Sequence, residues 1–396
     1  MGTPWSRRIC LISLLKNRVL LTLFILLILA AFSLPFLSYA PNRLLSGKSI
    51  GLLSLLHGPA LWLLLPLGAL ALLSLLPPLR RHAVLTAVCA SALLCLTFWL
   101  SGHGAQQLAL EGSRLARTSW GSGCWLMLAL SLLMAADAIA RITPSHLWRI
   151  VGNTLVLLPA VALLFSHQLD GLSLLKEYRN RQEVFDAALL QHLTILLLTV
   201  LPTLAIGIPL GVLCYRSQRW QTPIFSTLNI IQTVPSIALF GLLIAPLAGL
   251  AAAFPWLAQH GINGIGLAPA IVALVMYALL PLVRSVVAGL QSVPANVIES
   301  AVGMGMTRGQ IFLRIQLPLA LPLFLTGVRI LAVQTVGMAV VAALIGAGGF
   351  GAIVFQGLLS SALDLVLLGV IPVIAMAVIV DSLFKFIISA LEVKRR

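Results

Sequence analysis

The stretch from Glu299 to Pro318, ESAVGMGMTRGQIFLRIQLP, decides the fold of this chain. Apolar residues recur at helical spacing on both sides of Gly305, which stands where a helix would end on a left-handed residue. Thr307 and Gln310 have the spacing of a capping box, which starts a new helix. Pro318 lacks an amide N–H and is predicted to end that second helix. The pattern therefore predicts two short amphipathic helices that meet at an elbow and carry one acid, Glu299.

The sequence on both sides of this stretch is strongly apolar. The 396 residues are 60% hydrophobic and 9% charged, with a mean hydropathy of +1.08. A soluble domain needs about 25% charged residues to cover its surface, so the composition predicts an integral membrane protein in contact with the lipid bilayer. The net charge is +15, but no basic run is interleaved with aromatic residues and no base-reading motif is present. We therefore do not expect nucleic acid as a partner.

The apolar runs predict an all-α fold with about ten transmembrane helices, because a helix needs ~20 apolar residues to cross the membrane. The runs lie near 19–40, 51–76, 83–100, 122–140, 148–166, 191–213, 224–250, 264–283, 322–345 and 364–388. The first run is longer than the apolar part of a signal peptide, so we expect an uncleaved span. The most charged segment between runs, 167–190, has mixed signs; a solvated face is the simpler interpretation and a docking surface for a partner the alternative.

The basic residues predict the orientation of these helices. With the N-terminus inside and alternate loops assigned to each side, 17 of the 25 Lys and Arg residues fall on the cytoplasmic side. Seven fall outside and Arg329 lies within a run. The positive-inside rule then predicts that both termini are cytoplasmic and that the 292–321 stretch faces the cytoplasm.

The 299–318 stretch also resembles the EAA signature of ABC-importer permeases. The residues that carry the resemblance are Glu299-Ser300-Ala301, Gly305 and Ile315-x-Leu317-Pro318, with Ser at a position that is commonly Ala in the family. The resemblance runs from about 192 to the C-terminus. Within it, NIIQTVPS at 229–236 and IGAGGFG at 345–351 are similar to the osmoprotectant branch, and in particular to YehY-type glycine betaine permeases.

The resemblance implies a division into two regions. Residues 190–390 would form a MetI-like ABC permease core of five spans, with 292–321 as its cytoplasmic EAA coupling loop. Residues 1–175 carry no recognised motif and are expected to be a five-span hydrophobic region with a scaffold or accessory role. The residues expected to couple to the ATPase are Glu299, Ser300, Ala301, Gly305, Ile315, Leu317 and Pro318.

The same resemblance implies a function, partners and a location. The protein would be the permease subunit of an ATP-driven importer in the bacterial inner membrane, and its cargo a compatible solute such as glycine betaine or a related quaternary amine. Its partners would be ABC ATPase subunits, a periplasmic substrate-binding protein and a second permease subunit, the same or paralogous. Two alternatives are an ABC permease for another small solute, such as an amino acid, and a secondary transporter, which would need acids buried at mid-span.

Polar residues inside the apolar runs of the second half are candidates for the translocation path. Pro235 frees backbone carbonyls one turn earlier, and Thr233 and Ser236 either satisfy those groups or, with Gln232, line a path along a broken helix. Three more candidates lie in the 322–345 run: Arg329, Gln334 and Thr335. Arg329 either reaches the inner surface or faces protein or water.

A glycine-rich stretch follows the 322–345 run. Its residues Gly346, Gly348, Gly349, Phe350 and Gly351 match the spacing of a dinucleotide-binding loop, but an apolar span precedes them where that loop needs a strand. We expect a flexible turn instead, with Phe350 as a plug, and the family resemblance places such a turn near the outer gate.

No residues with the spacing of a catalytic set, a metal site or an ATP-binding loop occur in the sequence. We therefore expect no cofactor, no metal and no enzymatic activity, so that a separate ATPase subunit would hydrolyse ATP.

Overall fold

A computed structural model describes residues 17–42, 47–111 and 116–393 of the chain. Several basic residues used to predict the orientation, among them Arg7, Arg8, Lys16 and the three at 394–396, lie outside the described residues. The chain forms two compact units, Met1–Asn180 and Arg181–Arg396, called here the N-terminal and C-terminal units.

The N-terminal unit combines helices with a small sheet. Its elements are α1 (Arg18–Ser33), β1 (Leu37–Ala40), β2 (Lys48–Ile50), two 3₁₀ turns (Leu52–Leu55 and Gly58–Leu63), α2 (Leu64–Leu75), α3 (Arg80–Glu111), β3 (Arg117–Trp120), α4 (Ser122–Ile142), α5 (His146–Phe165) and α6 (Ser173–Asn180). Helix α4 packs against both α1 and α3, and their Leu, Met and Ala side chains form one core.

The described part of the C-terminal unit consists of helices joined by short turns. Its elements are α7 (Gln182–Arg216), α8 (Gln218–Thr233), α9 (Ser236–Ala253), α10 (Pro255–Gln259), α11 (Leu267–Gln291), α12 (Ala295–Gly303), α13 (Arg308–Ile311), a π-helical turn (Phe312–Gln316), α14 (Leu317–Ala342), a 3₁₀ turn (Ala343–Ile345), α15 (Phe350–Leu359) and α16 (Leu363–Val393).

The all-α membrane fold is confirmed, whereas the exact count of ten spans is not. Among the described residues, nine helical stretches are long and apolar enough to cross a membrane, five of them in the C-terminal unit. Helix α1 has 16 residues and at about 1.5 Å per residue is roughly 24 Å long, shorter than the ~30 Å hydrocarbon layer. Spans are helical because the bilayer offers no water to satisfy backbone groups.

Three short strands of the N-terminal unit were not predicted. Strand β1 is central and pairs antiparallel with both β2 and β3, so that Leu37 lies opposite Ile50 and Trp120. The sequence prediction had placed 37–40 inside the first helix, which is wrong. Pro35 explains the early end of α1, because a residue before proline is driven to extended backbone and Leu34 has φ −112° and ψ 153°.

The charged segment 167–190, predicted as a solvated face, is solvated only in part: Arg179, Glu183 and Asp186 are exposed. Residues 173–180 form α6, and α7 begins at Gln182. Glu177 of α6 is 1% exposed and pairs with Arg117 of β3 at 3.2 Å. The neighbouring Lys176 donates to the carbonyl of Ala116 at 3.2 Å, and burial, together with the nearby Arg117 charge, lowers the pKa of its ammonium group. Part of this charge therefore holds α6 to the sheet.

Helix α11 is the centre of the C-terminal unit. It packs against α7, α8, α9 and α14. In the most apolar stretch of α11, 67% of the residues are buried in the protein, compared with 28% in the most apolar stretch of α16. A helix that is buried over most of its length sets the positions of its neighbours, and both candidate sites described below lie against α11 or follow it in the chain.

Candidate functional site

The 295–318 segment begins with α12, whose end is formed as the sequence predicts. Gly305 has φ +79°, its amide donates to the carbonyl of Val302 at 2.9 Å, and the amide of Met306 donates to the carbonyl of Ala301 at 3.1 Å. These two bonds satisfy the last carbonyls of the helix in a Schellman motif. The elbow is therefore built by the backbone at Gly305, with Ala301 fully buried beneath it.

The second half of the segment starts at the predicted capping box. The amide of Thr307 donates to Gln310 Oε1 at 2.9 Å, and the amide of Gln310 donates to Thr307 Oγ1 at 3.4 Å. The prediction that Pro318 ends this helix is wrong, because α13, the π turn and α14 follow one another without a break. Pro318 is the second residue of α14, and the wider π turn before it accommodates a ring that an α-helical turn would exclude.

The surface of the 295–318 segment combines one free acid with apolar side chains. Glu299 is exposed and forms no ion pair with any residue that the structure describes. Val302, Met304 and Leu313 are 59%, 74% and 62% exposed. Ser300 differs, because its hydroxyl donates to its own helix at the Asn296 carbonyl. A segment of this kind has the composition of a contact surface.

The last residues of the predicted EAA signature lie where the segment enters α14. Ile315 is partly buried, whereas Leu317 and Pro318 are exposed. Between them Gln316 is buried, and its side-chain amide donates to the Tyr215 hydroxyl of α7 at 3.0 Å. The sequence prediction missed Gln316 because its partner is distant in sequence.

A second cluster of predicted residues surrounds the break between α8 and α9. The seventh predicted span, 224–250, is interrupted there, with Val234 and Pro235 in extended backbone. Gln232 donates to the Tyr277 carbonyl at 3.0 Å, and the Tyr277 hydroxyl donates to the Val234 carbonyl. These two bonds tie the broken helix to α11, and the second gives the Val234 carbonyl at the break a hydrogen-bond partner.

The break opens a cavity of about 330 Å³. The residues lining it are Gln232, Thr233, Val234, Pro235, Ser236, Tyr277, Gln334 and Met338. Five of the predicted path residues are thus brought together, and no charged residue is among those lining the cavity. Tyr277 and Met338 were missed in the sequence, although a tyrosine inside an apolar run is a usable signal, because its hydroxyl needs a partner there.

Two predicted path residues lie elsewhere. Thr335 is 2% exposed, and its hydroxyl donates to the Leu331 carbonyl of its own helix at 2.7 Å, so it does not line the cavity. Arg329 lies 3.7 Å from the carboxylate of Asp381 on α16, which also pairs with Lys385 at 2.5 Å. Asp381 thus neutralises a charge on a neighbouring helix as well as the Lys385 charge predicted from their spacing.

The glycine-rich stretch forms a turn between α14 and α15. Gly346, Gly348 and Gly349 have φ of +83°, +77° and +70°, and the side chain of Gln191 donates to the Ala347 carbonyl at 3.0 Å. A side chain at Gly349 would also lie 3.1 Å from Nδ1 of His192. The backbone angle therefore favours glycine at 349, and a side chain there would also press on the His192 ring.

Phe350, which the sequence predicts as a plug in this turn, lies just after it. It is the first residue of α15 and is fully buried, with ring centroids 5.2 Å from Phe185 and 5.6 Å from His192. Gly351 follows it in the same helix, where a side chain would collide with the Val340 carbonyl. Phe350 is therefore a packing residue that holds α15 against α7, which the sequence prediction did not anticipate.

Two family profiles match separate regions of the chain. The profile of the family described as "ABC transporter permease YehY, N-terminal domain" matches residues 16–175. The profile described as "Binding-protein-dependent transport system inner membrane component" matches residues 204–393.

Bacterial relatives match about half of the chain. The osmoprotectant import permease protein OsmW of Salmonella typhimurium is 37% identical over 193 residues, which are 49% of this chain and 85% of that protein. The carnitine transport permease protein OpuCB of Listeria monocytogenes is 37% identical over 191 residues, 48% of this chain and 80% of that protein. The choline transport system permease protein OpuBB of Bacillus subtilis is 34% identical, covering 48% and 81%.

The chain therefore belongs to the permeases of binding-protein-dependent ABC transport systems. Within that class it is a multi-span membrane protein of the osmoprotectant branch that carries the N-terminal domain found in YehY permeases, and the predicted resemblance is confirmed. A solved structure described as inward-facing conformations of the MetNI methionine ABC transporter is 24% identical, covers 54% of this chain and 98% of that one, and has a TM-score of 0.48.

Proposed function

We propose that this chain forms one half of the pore of an inner-membrane importer for a compatible solute such as glycine betaine or a related quaternary amine. A second permease subunit would supply the other half, a periplasmic binding protein would deliver the solute, and separate ATPase subunits would hydrolyse ATP. The names of the relatives, which include osmoprotectant, carnitine and choline permeases, support this class of solute.

The unpaired carboxylate of Glu299 is the observation that carries the coupling role. The 295–318 segment is shaped by backbone caps at Gly305 and Thr307, so its form does not depend on Glu299. An exposed acid beside exposed Val302 and Met304 supplies both a charged and an apolar contact for a partner. In this proposal the ATPase subunit covers that surface and moves the segment when it binds ATP.

The cavity at the α8–α9 break suits a zwitterionic solute. Its lining offers the amides of Gln232 and Gln334 and the hydroxyl of Ser236, with no net charge. Tyr277 adds an aromatic ring and Met338 a polarizable sulfur, groups that attract a quaternary ammonium ion. We assign these residues to the solute path and the glycine turn at 346–349 to its outer gate.

We assign residues 1–175 a scaffold or accessory role outside the path. The core of the N-terminal unit is built from Leu, Met and Ala side chains, and a cavity of about 500 Å³ between α3, α4 and α5 is lined mainly by apolar residues. This composition suits contact with lipid more than passage of a polar solute.

The coupling proposal is tested by Glu299→Gln, with Glu183→Gln as the matched control. Glu183 is also exposed, but lies in the first turn of α7. In proteoliposomes with the ATPase subunits and the binding protein, Glu299→Gln should weaken ATPase binding by about 1.5–3 kcal/mol, the value of a charged hydrogen bond. Uptake of labelled glycine betaine should fall with it, while Glu183→Gln transports normally.

A helix that simply rests on lipid would behave differently. It would gain from the loss of charge at Glu299, so unchanged ATPase binding and uptake in Glu299→Gln would refute the coupling role.

A further inference from the structure

An open groove lies beside the junction between the 295–318 segment and α14. Its volume is about 870 Å³, in the upper part of the roughly 300–1,000 Å³ range of small-molecule pockets. Helices α7, α11 and α14 and the π turn supply its walls, with Val212, Leu290, Phe312, Leu317 and Leu321 among the lining residues. All the other lining residues but one are apolar as well.

The exception is Arg216, the last residue of α7. Its side chain is exposed, and its guanidinium carbon lies 4.9 Å from the centre of the Phe312 ring. No acid lines the groove, and Arg216 forms no ion pair within the part of the chain that the structure describes. The groove thus joins an extended apolar wall to a single cation at its rim.

We propose that this groove binds an anionic phospholipid. Its acyl chain lies along Val212, Leu290 and Leu321, and its phosphate accepts hydrogen bonds from the guanidinium of Arg216. Charge complementarity selects this occupant, because an apolar trough that ends at an unpaired guanidinium matches an amphiphile with a negative head and an oily tail. The surrounding helices are membrane spans, so such lipids are adjacent to the groove.

The position of the groove gives the lipid a consequence for transport. Phe312, Leu317 and Pro318 belong to the 295–318 segment, whereas Val212 and Arg216 belong to α7. A lipid in the groove contacts both at once and braces the segment against α7. This consequence rests on the proposed coupling function, but the binding of the lipid does not.

Lipid binding is measured on the full-length protein purified in detergent, by native mass spectrometry during titration with dioleoyl phosphatidylglycerol or dioleoyl phosphatidylcholine. We expect one phosphatidylglycerol to be retained about tenfold more tightly than phosphatidylcholine, because only the former carries a net negative charge toward Arg216. Arg216→Gln should abolish this preference. Arg219→Gln, the matched control with the same loss of charge on an exposed residue that does not line the groove, should keep it.

A second variant tests the apolar wall. Leu321 is only partly buried, so the larger side chain in Leu321→Trp can extend into the groove. It should weaken the binding of both lipids, whereas Arg216→Gln should weaken the binding of the anionic lipid only. Arg216 is an exposed residue at the end of α7, so its substitution keeps the test valid if Leu321→Trp does not fold.

Four results would overturn the proposal. They are equal retention of both lipids by the unaltered protein, equal losses in Arg216→Gln and Arg219→Gln, and full displacement of the lipid by inorganic phosphate, which would identify a simple anion site. The fourth is a change in the number of permease copies in Leu321→Trp with the lipid count unchanged, which would identify a subunit interface. No ATPase or solute is needed, so failure here is distinct from failure of the transport proposal.

Discussion

Gly305 combines a left-handed backbone with open space around it. Nothing lies within 4 Å of the position that a Cβ would occupy at Gly305, so a side chain there meets strain and no clash. Gly309, four residues on, is equally open, but it lies within α13, where its backbone is helical. An alanine at either glycine would meet no clash, so a comparison of the two positions isolates the strain of the left-handed backbone at Gly305.

We expect Gly305→Ala and Gly309→Ala to have opposite effects on the 295–318 segment. Alanine at 305 should cost about 1 kcal/mol because of the left-handed backbone, whereas alanine at 309 should stabilise the helix by about 0.5–1 kcal/mol. The amide of Met306 closes the elbow, so its hydrogen exchange reports directly on opening of the turn and should be faster in Gly305→Ala. Equal exchange rates in the two variants would rule out a special role for the turn.

Gln232 and Thr335 were both predicted to line the solute path, and the structure separates them. We expect Gln232→Met to raise the KM for solute uptake roughly fivefold, because loss of the amide costs about 1 kcal/mol and loosens Tyr277. Thr335→Val should leave KM unchanged, because its hydroxyl bonds within α14. Uptake by proteoliposomes over a range of solute concentrations measures both, and a larger effect at Thr335 would place the path elsewhere.

At the scale of elements, local signals were predicted well and long-range ones were not. The Gly305 turn and the Thr307–Gln310 capping box depend on residues a few positions apart, so the local sequence pattern predicts them. The hydrogen bond from Tyr277 to Val234 joins residues 43 positions apart, so no local sequence pattern predicts it.

Errors at element ends have a similar cause. The continuation of the helix past Pro318 depends on a π turn, which has no composition signature in this stretch. The strand at 37–40 forms only because it pairs with strands at 48–50 and 117–120. A prediction from hydropathy alone therefore assigns these residues to the first helix. Burial of Phe350 likewise depends on α7, which lies far earlier in the chain.

At the scale of the whole molecule, we expect the C-terminal unit to fold without the N-terminal unit. Residues 181–396 form a compact unit with their own core around α11 and carry the 295–318 segment. A chain that begins at Arg181 should therefore insert into the membrane and still bind the ATPase subunits, as co-purification would show. Loss of ATPase binding in a truncated chain that remains monodisperse would argue against an accessory role for residues 1–175.

The orientation of the chain is tested with single cysteines in a version that lacks its native ones. Asn180, at the end of α6, and Met304, which is 74% exposed, are suitable positions. With both termini cytoplasmic, a membrane-impermeant maleimide should label Asn180→Cys in intact spheroplasts and Met304→Cys only after lysis. The reverse pattern would invert the topology.

The absence of a break between Arg308 and Ile345 has a mechanical meaning. These 38 residues are continuously helical, with a length along the helix of roughly 55 Å. Its first turns carry the capping box, and its far end leads directly into the Gly346–Gly349 turn. If it pivots near its middle, a push at one tip swings the other tip the opposite way, and a tilt of about 5° separates the two displacements by roughly 5 Å over that length. A lever of this kind would carry force across the bilayer through its own backbone, so side-chain relays between the two faces would not be required.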